Sequence, residues 1–140
     1  MSHVAEMERI DRANTQWLSE LVAERGWPGK TLVGEDGARA AFLLAQHADA
    51  EHQRVFLPLL RSAVAAGEAS DTHLAYLEDR VRMRNGEPQL YGTQFIVDDE
   101  GFRAHPIEDP AHVDARRASV GLGPFADYEA HMRDLHGSAG

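Results

Sequence analysis

Residues 38–48 read Ala-Arg-Ala-Ala-Phe-Leu-Leu-Ala-Gln-His-Ala, and they are the most apolar helical segment of the chain. Between Ala40 and Ala45 it is apolar nearly all round, which is typical of a helix buried at the centre of a small domain. We therefore predict a central helix that begins near Asp36. His47 follows Leu43 at the spacing of one helical turn, so its imidazole is predicted to project from the same buried face.

Further helices are predicted on both sides of this segment, because apolar residues recur there at the spacing of an amphipathic helix. Pro58 lies inside one of them and should kink it or mark a junction. Ser70 or Asp71 is available to cap the next one. The predicted ranges are 4–25, 50–66, 70–84, a short segment after Pro110, and 126–135.

The periodicity changes between residues 93 and 107, where two short apolar runs flank Asp-Glu-Gly. This pattern predicts a β-hairpin with its turn at Asp99 to Gly101. A lone hairpin is marginal unless it packs on helices. We therefore predict a mainly α protein, a single-domain helical bundle over residues 1–136 with one β-hairpin near residues 93–107. Residues 137–140 are predicted to form a disordered tail.

Composition excludes several classes of protein. The chain has 140 residues, of which 43% are hydrophobic and 26% charged, and this is the balance of a globular domain. No apolar run approaches the roughly 18 residues of a membrane span, and the N-terminus shows no signal-peptide pattern. We predict a cytoplasmic protein without a membrane partner. Because the sequence contains no cysteine, disulfides, thiolate metal sites and cysteine nucleophiles are excluded.

The net charge of −9 argues against a nucleic-acid partner, because phosphate binding draws on clustered cations. Arg80, Arg82 and Arg84 are a local exception, but they alternate with other residues and fan around a predicted helix. They are interpreted either as a solvated or salt-bridged helix end or as an anion-binding patch. Lys30 is the only lysine, and its loop position makes it a poor candidate for Schiff-base chemistry.

The eight histidines are not spaced as metal ligands. His47 and His52 are separated by a five-residue step, as are His131 and His136, and that step turns two helical side chains away from each other. The sequence also has no His-Glu-Xaa-Xaa-His motif, no glycine-rich phosphate loop and no dinucleotide fingerprint. We therefore predict neither a metal nor a cofactor.

The segment at residues 77–95, Leu-Glu-Asp-Arg-Val-Arg-Met-Arg-Asn-Gly-Glu-Pro-Gln-Leu-Tyr-Gly-Thr-Gln-Phe, is unusually rich in planar polar groups. Such groups cost free energy when they are buried unpaired, so their density predicts a binding site rather than a solvated loop. Adjacent helical residues point about 100° apart, so Asp79 and Arg80 must find separate partners. The site residues predicted from this segment are Asp79, Arg80, Gln89, Tyr91, Thr93 and Gln94.

A second polar cluster, which includes Gln46, His47 and Gln53, interrupts the most apolar helical region. We predict that it faces the first cluster. If His47 is catalytic, its amide and carboxylate neighbours would fix the tautomer of the imidazole and could shift its pKa. Alternatively, His47 is a structural residue that bonds to a backbone carbonyl. Trp27 is predicted to cap the pocket, and the alternative is an aromatic side chain that fills the core.

His, Tyr, Asp and Arg together can move a proton while they hold a polar or anionic substrate. We therefore predict a small cofactor-independent acid–base enzyme that acts on a small polar or anionic metabolite, with His47, Tyr91 and Asp79 as catalytic residues. Arg80 would neutralise a substrate carboxylate. The side-chain amides of the glutamines would form hydrogen bonds with the other donors and acceptors of the substrate. The alternative is a non-catalytic module that binds a small ligand or a partner through the same groups. The oligomeric state stays open, and a homodimer is among the alternatives.

Several motifs of the chain occur in a characteristic combination: Gly-Trp-Pro at 26–28, Val-Gly at 33–34, Gln-His-Ala-Asp at 46–49 with Gln53, Leu-Ala-Tyr-Leu-Glu-Asp-Arg-Val at 74–81, Gln-Leu-Tyr-Gly-Thr-Gln at 89–94, Arg-Arg-Ala-Ser-Val-Gly-Leu at 116–122, and Tyr128. Together they resemble a bacterial family catalogued as domain of unknown function 6624. The similarity extends over nearly the whole chain and is most specific where Asp-Arg-Val is followed by Tyr-Gly-Thr-Gln. It implies a small, mostly helical bacterial domain whose characteristic residues include His47, Asp79, Arg80, Tyr91 and Gln94.

All cations other than Lys30 are arginines, and alanine and glycine are abundant, which is typical of the coding bias of a GC-rich bacterium. Small domains in such genomes often serve biosynthetic pathways. Hydrolysis, dehydration and amine–carbonyl condensation are therefore the reactions we consider.

Overall fold

The computed structural model describes residues 3–136, and this part of the chain is mainly α-helical, as predicted. A single antiparallel hairpin of β1 and β2 interrupts the helices, and a 3₁₀ turn at Pro110–His112 leads into α5. The elements are α1 (His3–Arg25), α2 (Lys30–Gln46), α3 (Ala50–Ala65), α4 (Asp71–Arg84), β1 (Phe95–Asp98), β2 (Gly101–Ala104), α5 (Val113–Ser119) and α6 (Phe125–His136).

Contacts within the chain define two compact units, one up to residue 77 and one from residue 78. Helix α4 contributes residues to both. The single domain predicted over residues 1–136 stays a prediction, and the predicted tail at 137–140 lies outside the described residues. Among residues 3–136, no helix combines the length and the apolar character that a membrane span requires.

The core of the first unit forms where α1 packs on α2 and α2 packs on α3. Leu18 of α1 and Phe56 and Leu60 of α3 are at most 1% exposed. Helix α2 buries only one stripe, which consists of Ala38, Ala41, Phe42 and Ala45. The prediction that this helix is buried nearly all round is therefore wrong on its other side, where Leu43 is 41% exposed.

Helix α2 begins at Lys30, six residues before the predicted start near Asp36. The chain kinks at Gly34, whose φ of 76° lies in the left-handed region that glycine adopts without strain. The first turn is held from outside the helix by Glu68. Its backbone carbonyl accepts a hydrogen bond from the Lys30 N–H, and its carboxylate accepts from the N–H and the hydroxyl of Thr31, at 2.7 and 2.5 Å.

We expect Glu68→Gln to lower the melting temperature at pH 7. The Thr31 hydrogen bonds lower the pKa of Glu68 below its ordinary value of 4.5. A lowered folded-state pKa means that the stabilisation is present above the unfolded pKa and is lost as the pH falls through the folded one. Thermal unfolding followed by circular dichroism should therefore show a wild-type advantage at pH 7 that shrinks as the pH falls below 4.5. Glu24→Gln, on the exposed end of α1, is the control, and an equal effect of both variants would contradict this account.

Helix α3 runs without interruption from Ala50 to Ala65, although Pro58 lies inside it. Its start is capped by Asp49, whose carboxylate accepts a hydrogen bond from the His52 N–H at 2.8 Å. The predicted junction at Pro58 is therefore wrong. Pro58 is exposed, so the carbonyl that loses its helical donor can bond to water.

The second unit contains the hairpin, α5 and α6. The predicted turn is confirmed, because Asp98 pairs with Gly101 at the end of the ladder and Phe95 pairs with Ala104. The hairpin does not stand alone: the ring of Phe95 stacks on Phe125 of α6, with 6.2 Å between the ring centroids. This packing on a helix supplies the apolar contact that a two-stranded ribbon lacks by itself.

Candidate functional site

Asp79 is completely buried and fixes the loop at residues 89–94. Its carboxylate accepts hydrogen bonds from the backbone N–H groups of Leu90 at 2.8 Å, Tyr91 at 3.1 Å and Thr93 at 3.1 Å. The Thr93 hydroxyl donates to the same carboxylate at 2.9 Å. Both carboxylate oxygens are therefore engaged in holding the loop backbone against helix α4.

The protonation of Asp79 reflects two opposing effects. Burial raises the pKa of Asp79 above its ordinary value, because the charged form loses its hydration. The hydrogen bonds from Leu90, Thr93 and Tyr91 oppose this rise, because all of them are donated to the carboxylate. The geometry suits a carboxylate that only accepts, and Asp79 therefore acts on the loop as a positioning residue.

Gln89 closes the same loop from inside. Its side chain is completely buried, and its Nε2 donates to the carbonyl of Gln94 at 2.9 Å and to that of His105 at 2.7 Å. Its Oε1 accepts from the Gln94 N–H at 2.8 Å. The amide thus joins the two ends of the loop to each other and to the chain that follows strand β2.

Two arginines of α5 hold the carbonyl side of the loop. Arg116 Nε donates to the Leu90 carbonyl at 2.7 Å. Arg117 is 2% exposed, and its Nη1 donates to the Tyr91 carbonyl at 2.7 Å. Its guanidinium also lies 5.1 Å from the ring centroid of Tyr128, close enough for a cation–π contact. Residue types and spacing gave no sign that these arginines belong to the site, and only the family resemblance includes them.

Gly92 is required where the loop turns. Its φ is 68°, and a Cβ at this position would lie 2.6 Å from Cδ1 of Phe125. Any side chain would therefore strain the backbone and collide with the aromatic ring of α6.

Arg80 is a half-buried cation without a carboxylate partner among the described residues. Its Nη1 donates to Oε1 of Gln94 at 3.3 Å, and its Nε is buried with no hydrogen-bond partner in the described part of the chain. Burial, and then the nearby charge of Arg84, lower the pKa of Arg80. Gln94 is itself held in place, because its Nε2 donates to the Thr93 hydroxyl at 3.0 Å.

Tyr91 carries the one phenol of the loop, and its side chain is half-buried. Burial raises the pKa of Tyr91, and the negative charges of Glu78 and Asp79 raise it further. The phenol therefore keeps its proton at neutral pH and is able to donate a hydrogen bond.

These contacts show that six of the predicted site residues share one network in the second unit. We call them the Asp79 cluster, and its members are Asp79, Arg80, Gln89, Tyr91, Thr93 and Gln94. The prediction that Asp79 and Arg80 have separate partners is confirmed, since one binds the loop backbone and the other binds Gln94.

The other four predicted site residues belong to the first unit. His47 is exposed, so the prediction that its imidazole projects from a buried face is wrong. The physical reason is that the side of α2 that carries Leu43 is itself exposed. His47 follows Leu43 by one turn, as predicted, and its N–H still donates to the Leu43 carbonyl at 3.2 Å. The predicted approach of His47 to Tyr91 stays a prediction.

Gln53, Gln46 and Trp27 all make contacts within the first unit. Gln53 is completely buried, and its Nε2 donates to the carbonyls of Ala45 at 3.1 Å and Gln46 at 2.9 Å, so it caps the end of α2. The Gln46 amide donates to the Tyr76 carbonyl at 3.4 Å. Trp27 contacts the ring of Phe56 edge-on at 6.1 Å.

Two of these side chains leave polar atoms unused. Within residues 3–136, Nε1 of Trp27 and Oε1 of Gln46 are buried and have no hydrogen-bond partner. The same region contains no group of three or more His, Asp or Glu side chains that converge as metal ligands.

Nearly the whole chain matches a family model. Residues 2–139 match the family described as "Family of unknown function (DUF6624)". The protein therefore belongs to this family, and the resemblance drawn from its motifs is confirmed. Comparison with curated proteins and with solved structures gave no match.

Proposed function

We propose that the protein binds a small anionic metabolite through Arg80 and the loop at residues 89–94. The observation that carries this proposal is the guanidinium of Arg80, which is half-buried and offers its Nε proton to no acceptor in the described chain. A buried cation costs free energy unless it is paired, and a carboxylate or phosphate pairs with a guanidinium through two parallel hydrogen bonds. The neutral Gln94 amide positions Arg80 but leaves its charge uncompensated.

The rigidity of the loop supports recognition. Asp79 fixes Thr93, Thr93 accepts a hydrogen bond from Gln94, and Gln94 accepts one from Arg80. This chain of hydrogen bonds sets the guanidinium before any ligand arrives, which lowers the entropic cost of binding. Most of the polar groups in this segment thus shape the loop, whereas the charge of Arg80 has no carboxylate partner in the described chain.

Acid–base conversion of the bound metabolite is our second candidate function, and Tyr91 is the observation that favours it. Its phenol is half-buried and keeps its proton at neutral pH, so it can donate to a developing negative charge. In this scheme His47 is the base and Asp79 positions the loop. We place the reaction among hydrolysis, dehydration and amine–carbonyl condensation, and we propose a bacterial, cytoplasmic and biosynthetic setting for it.

Arg80→Gln should weaken anion binding by tenfold or more, because a charge-assisted hydrogen bond contributes about 1.5–3 kcal/mol. Arginine Nε–Hε signals in NMR spectra can be followed during titrations with acetate, succinate and inorganic phosphate. We expect at least one of these anions to shift the Arg80 signal saturably in the wild type. The control is Arg133→Gln, which removes the same charge from the exposed face of α6. Equal weakening in both variants, or no shift with any anion, would refute the proposed site.

A further set of variants separates a binder from an enzyme once the metabolite has been identified by mass spectrometry of co-purifying molecules. An enzyme should lose turnover but keep its affinity in His47→Gln. A pure binder should show no turnover and should lose affinity in Gln94→Ala and Tyr91→Phe. Loss of affinity in His47→Gln alone would contradict both assignments.

A further inference from the structure

The first unit contains a cleft that is unrelated to the Asp79 cluster. It lies where the first turns of α2 meet the residues that lead into α4, and its volume is about 350 Å³. Binding sites for small molecules have volumes of about 300–1,000 Å³, so the cleft fits a compact ligand. Its polar lining consists of Lys30, Glu35, Asp36, Arg39, Ser70 and His73.

The cleft is lined by positive and negative side chains, and these are not paired with each other or with other charges in the described part of the chain. Lys30 and Arg39 supply two cations, and Glu35 and Asp36 supply two carboxylates. Within the described residues none of these four takes part in an ion pair. A simple anion would meet the two carboxylates, and a simple cation would meet the two basic side chains. A ligand that carries both charges can satisfy both pairs.

His73 gives the cleft a fixed, neutral wall. Its ring stacks on Phe42 with 4.3 Å between the centroids and an angle of 2° between the planes. Burial, and then the charge of Arg39, lower the pKa of His73, so its imidazole stays uncharged at neutral pH. Ser70 is also fixed, because its hydroxyl oxygen accepts hydrogen bonds from the N–H groups of Thr72 and His73.

We propose that this cleft binds a small zwitterion of amino-acid size. Glu35 and Asp36 hold its ammonium group, Lys30 and Arg39 hold its carboxylate, and the imidazole of His73 lies against its body. The kink at Gly34 is part of this site, because it starts a new helical segment at the two carboxylates. The site is distinct from the anion site at Arg80, since all of its lining residues lie in the first unit.

The ring signals of His73 report directly on this site. In NMR titrations of the full chain at millimolar concentrations, we expect one or more of the common amino acids to shift these signals saturably. Acetate and methylammonium each carry one of the two charges, and we expect both to bind at least tenfold more weakly. If no amino acid shifts the His73 signals, or if acetate alone binds as well as an amino acid, the proposal is wrong.

Variants test the charge pairing. Arg39→Gln and Asp36→Asn should each weaken amino-acid binding about tenfold, the loss of one charge-assisted hydrogen bond. Both side chains are exposed, so the fold should persist, and the amide spectrum verifies this. Arg54→Gln and Glu51→Gln make matched charge changes on the exposed face of α3 and should leave binding unchanged. Equal losses in the matched controls would overturn the assignment.

Discussion

Asp79→Ala should lower the free energy of unfolding by about 3–5 kcal/mol, because each buried donor left without an acceptor costs about 1–3 kcal/mol. The substitution removes the acceptor for the N–H groups of Leu90, Tyr91 and Thr93 and for the Thr93 hydroxyl. Part of the loss is offset, because a buried carboxylate is no longer desolvated on folding. Urea unfolding measures the difference. A change within about 0.5 kcal/mol, as expected for the exposed control Asp127→Ala, would contradict the role assigned to Asp79.

The pH dependence of Asp79→Asn tests the same contact in another way. Burial raises the folded-state pKa of Asp79 above its ordinary value of 3.8, so this group favours the folded state most at low pH. That contribution is lost as the pH rises through the folded pKa. Asparagine does not titrate, and the stability advantage of the wild type over Asp79→Asn should therefore be larger near pH 4 than at pH 7. An advantage that grows with pH would show that the hydrogen bonds outweigh the burial.

Arg117→Met should lower the free energy of unfolding by about 2–4 kcal/mol, since it leaves two carbonyls without a charged donor and removes a cation–π contact. The carbonyls are those of Tyr91 at 2.7 Å and Gly123 at 2.6 Å, and the aromatic partner is Tyr128. Methionine retains most of the apolar volume, so the effect reports mainly on the lost polar contacts. Thermal or urea unfolding checks the result.

Two further variants sharpen the interpretation of Arg117. Arg117→Lys keeps the charge but loses the forked geometry, and it should lie between the wild type and Arg117→Met. Arg54→Met removes an exposed guanidinium of α3 and should be nearly neutral. Because Asp79 and Arg117 hold opposite sides of the same loop backbone, the double variant should be less destabilised than the sum of the single ones. Strict additivity would show that they do not act through a shared loop.

Helical periodicity predicted most of the fold correctly, because it reports on which face of an element is buried. The range predicted for the first helix and the turn of the hairpin agree closely with the structure. The first turn of α2 was missed for a physical reason. It depends on Glu68, which is distant in sequence and supplies the acceptors for its N–H groups. No local pattern around Lys30 contains that information.

The candidate site was predicted unevenly. Polar density correctly indicated that Asp79, Arg80 and the loop at 89–94 form a network, because buried polar groups must be paired and therefore occur together. That this network is a binding site stays a prediction. It did not reveal which side chains form hydrogen bonds with the loop backbone. Asp79 and Gln89 do so, and their polar atoms are bonded to N–H and carbonyl groups of the loop. The exposure of His47 was not foreseen, because the apolar residues of α2 did not reveal that the side carrying Leu43 is exposed.

Helix α4 has a practical consequence for dissecting the protein. The division between the compact units falls after residue 77, inside this helix. A fragment that starts at 78 would place Asp79 in a frayed first turn and would lack the Ser70 cap, so its loop would lose a rigid anchor. If such a fragment failed to fold, the cause would be the missing start of α4 and not an inability of the C-terminal unit to fold. A useful truncation of the C-terminal part must retain the intact helix from its cap onward.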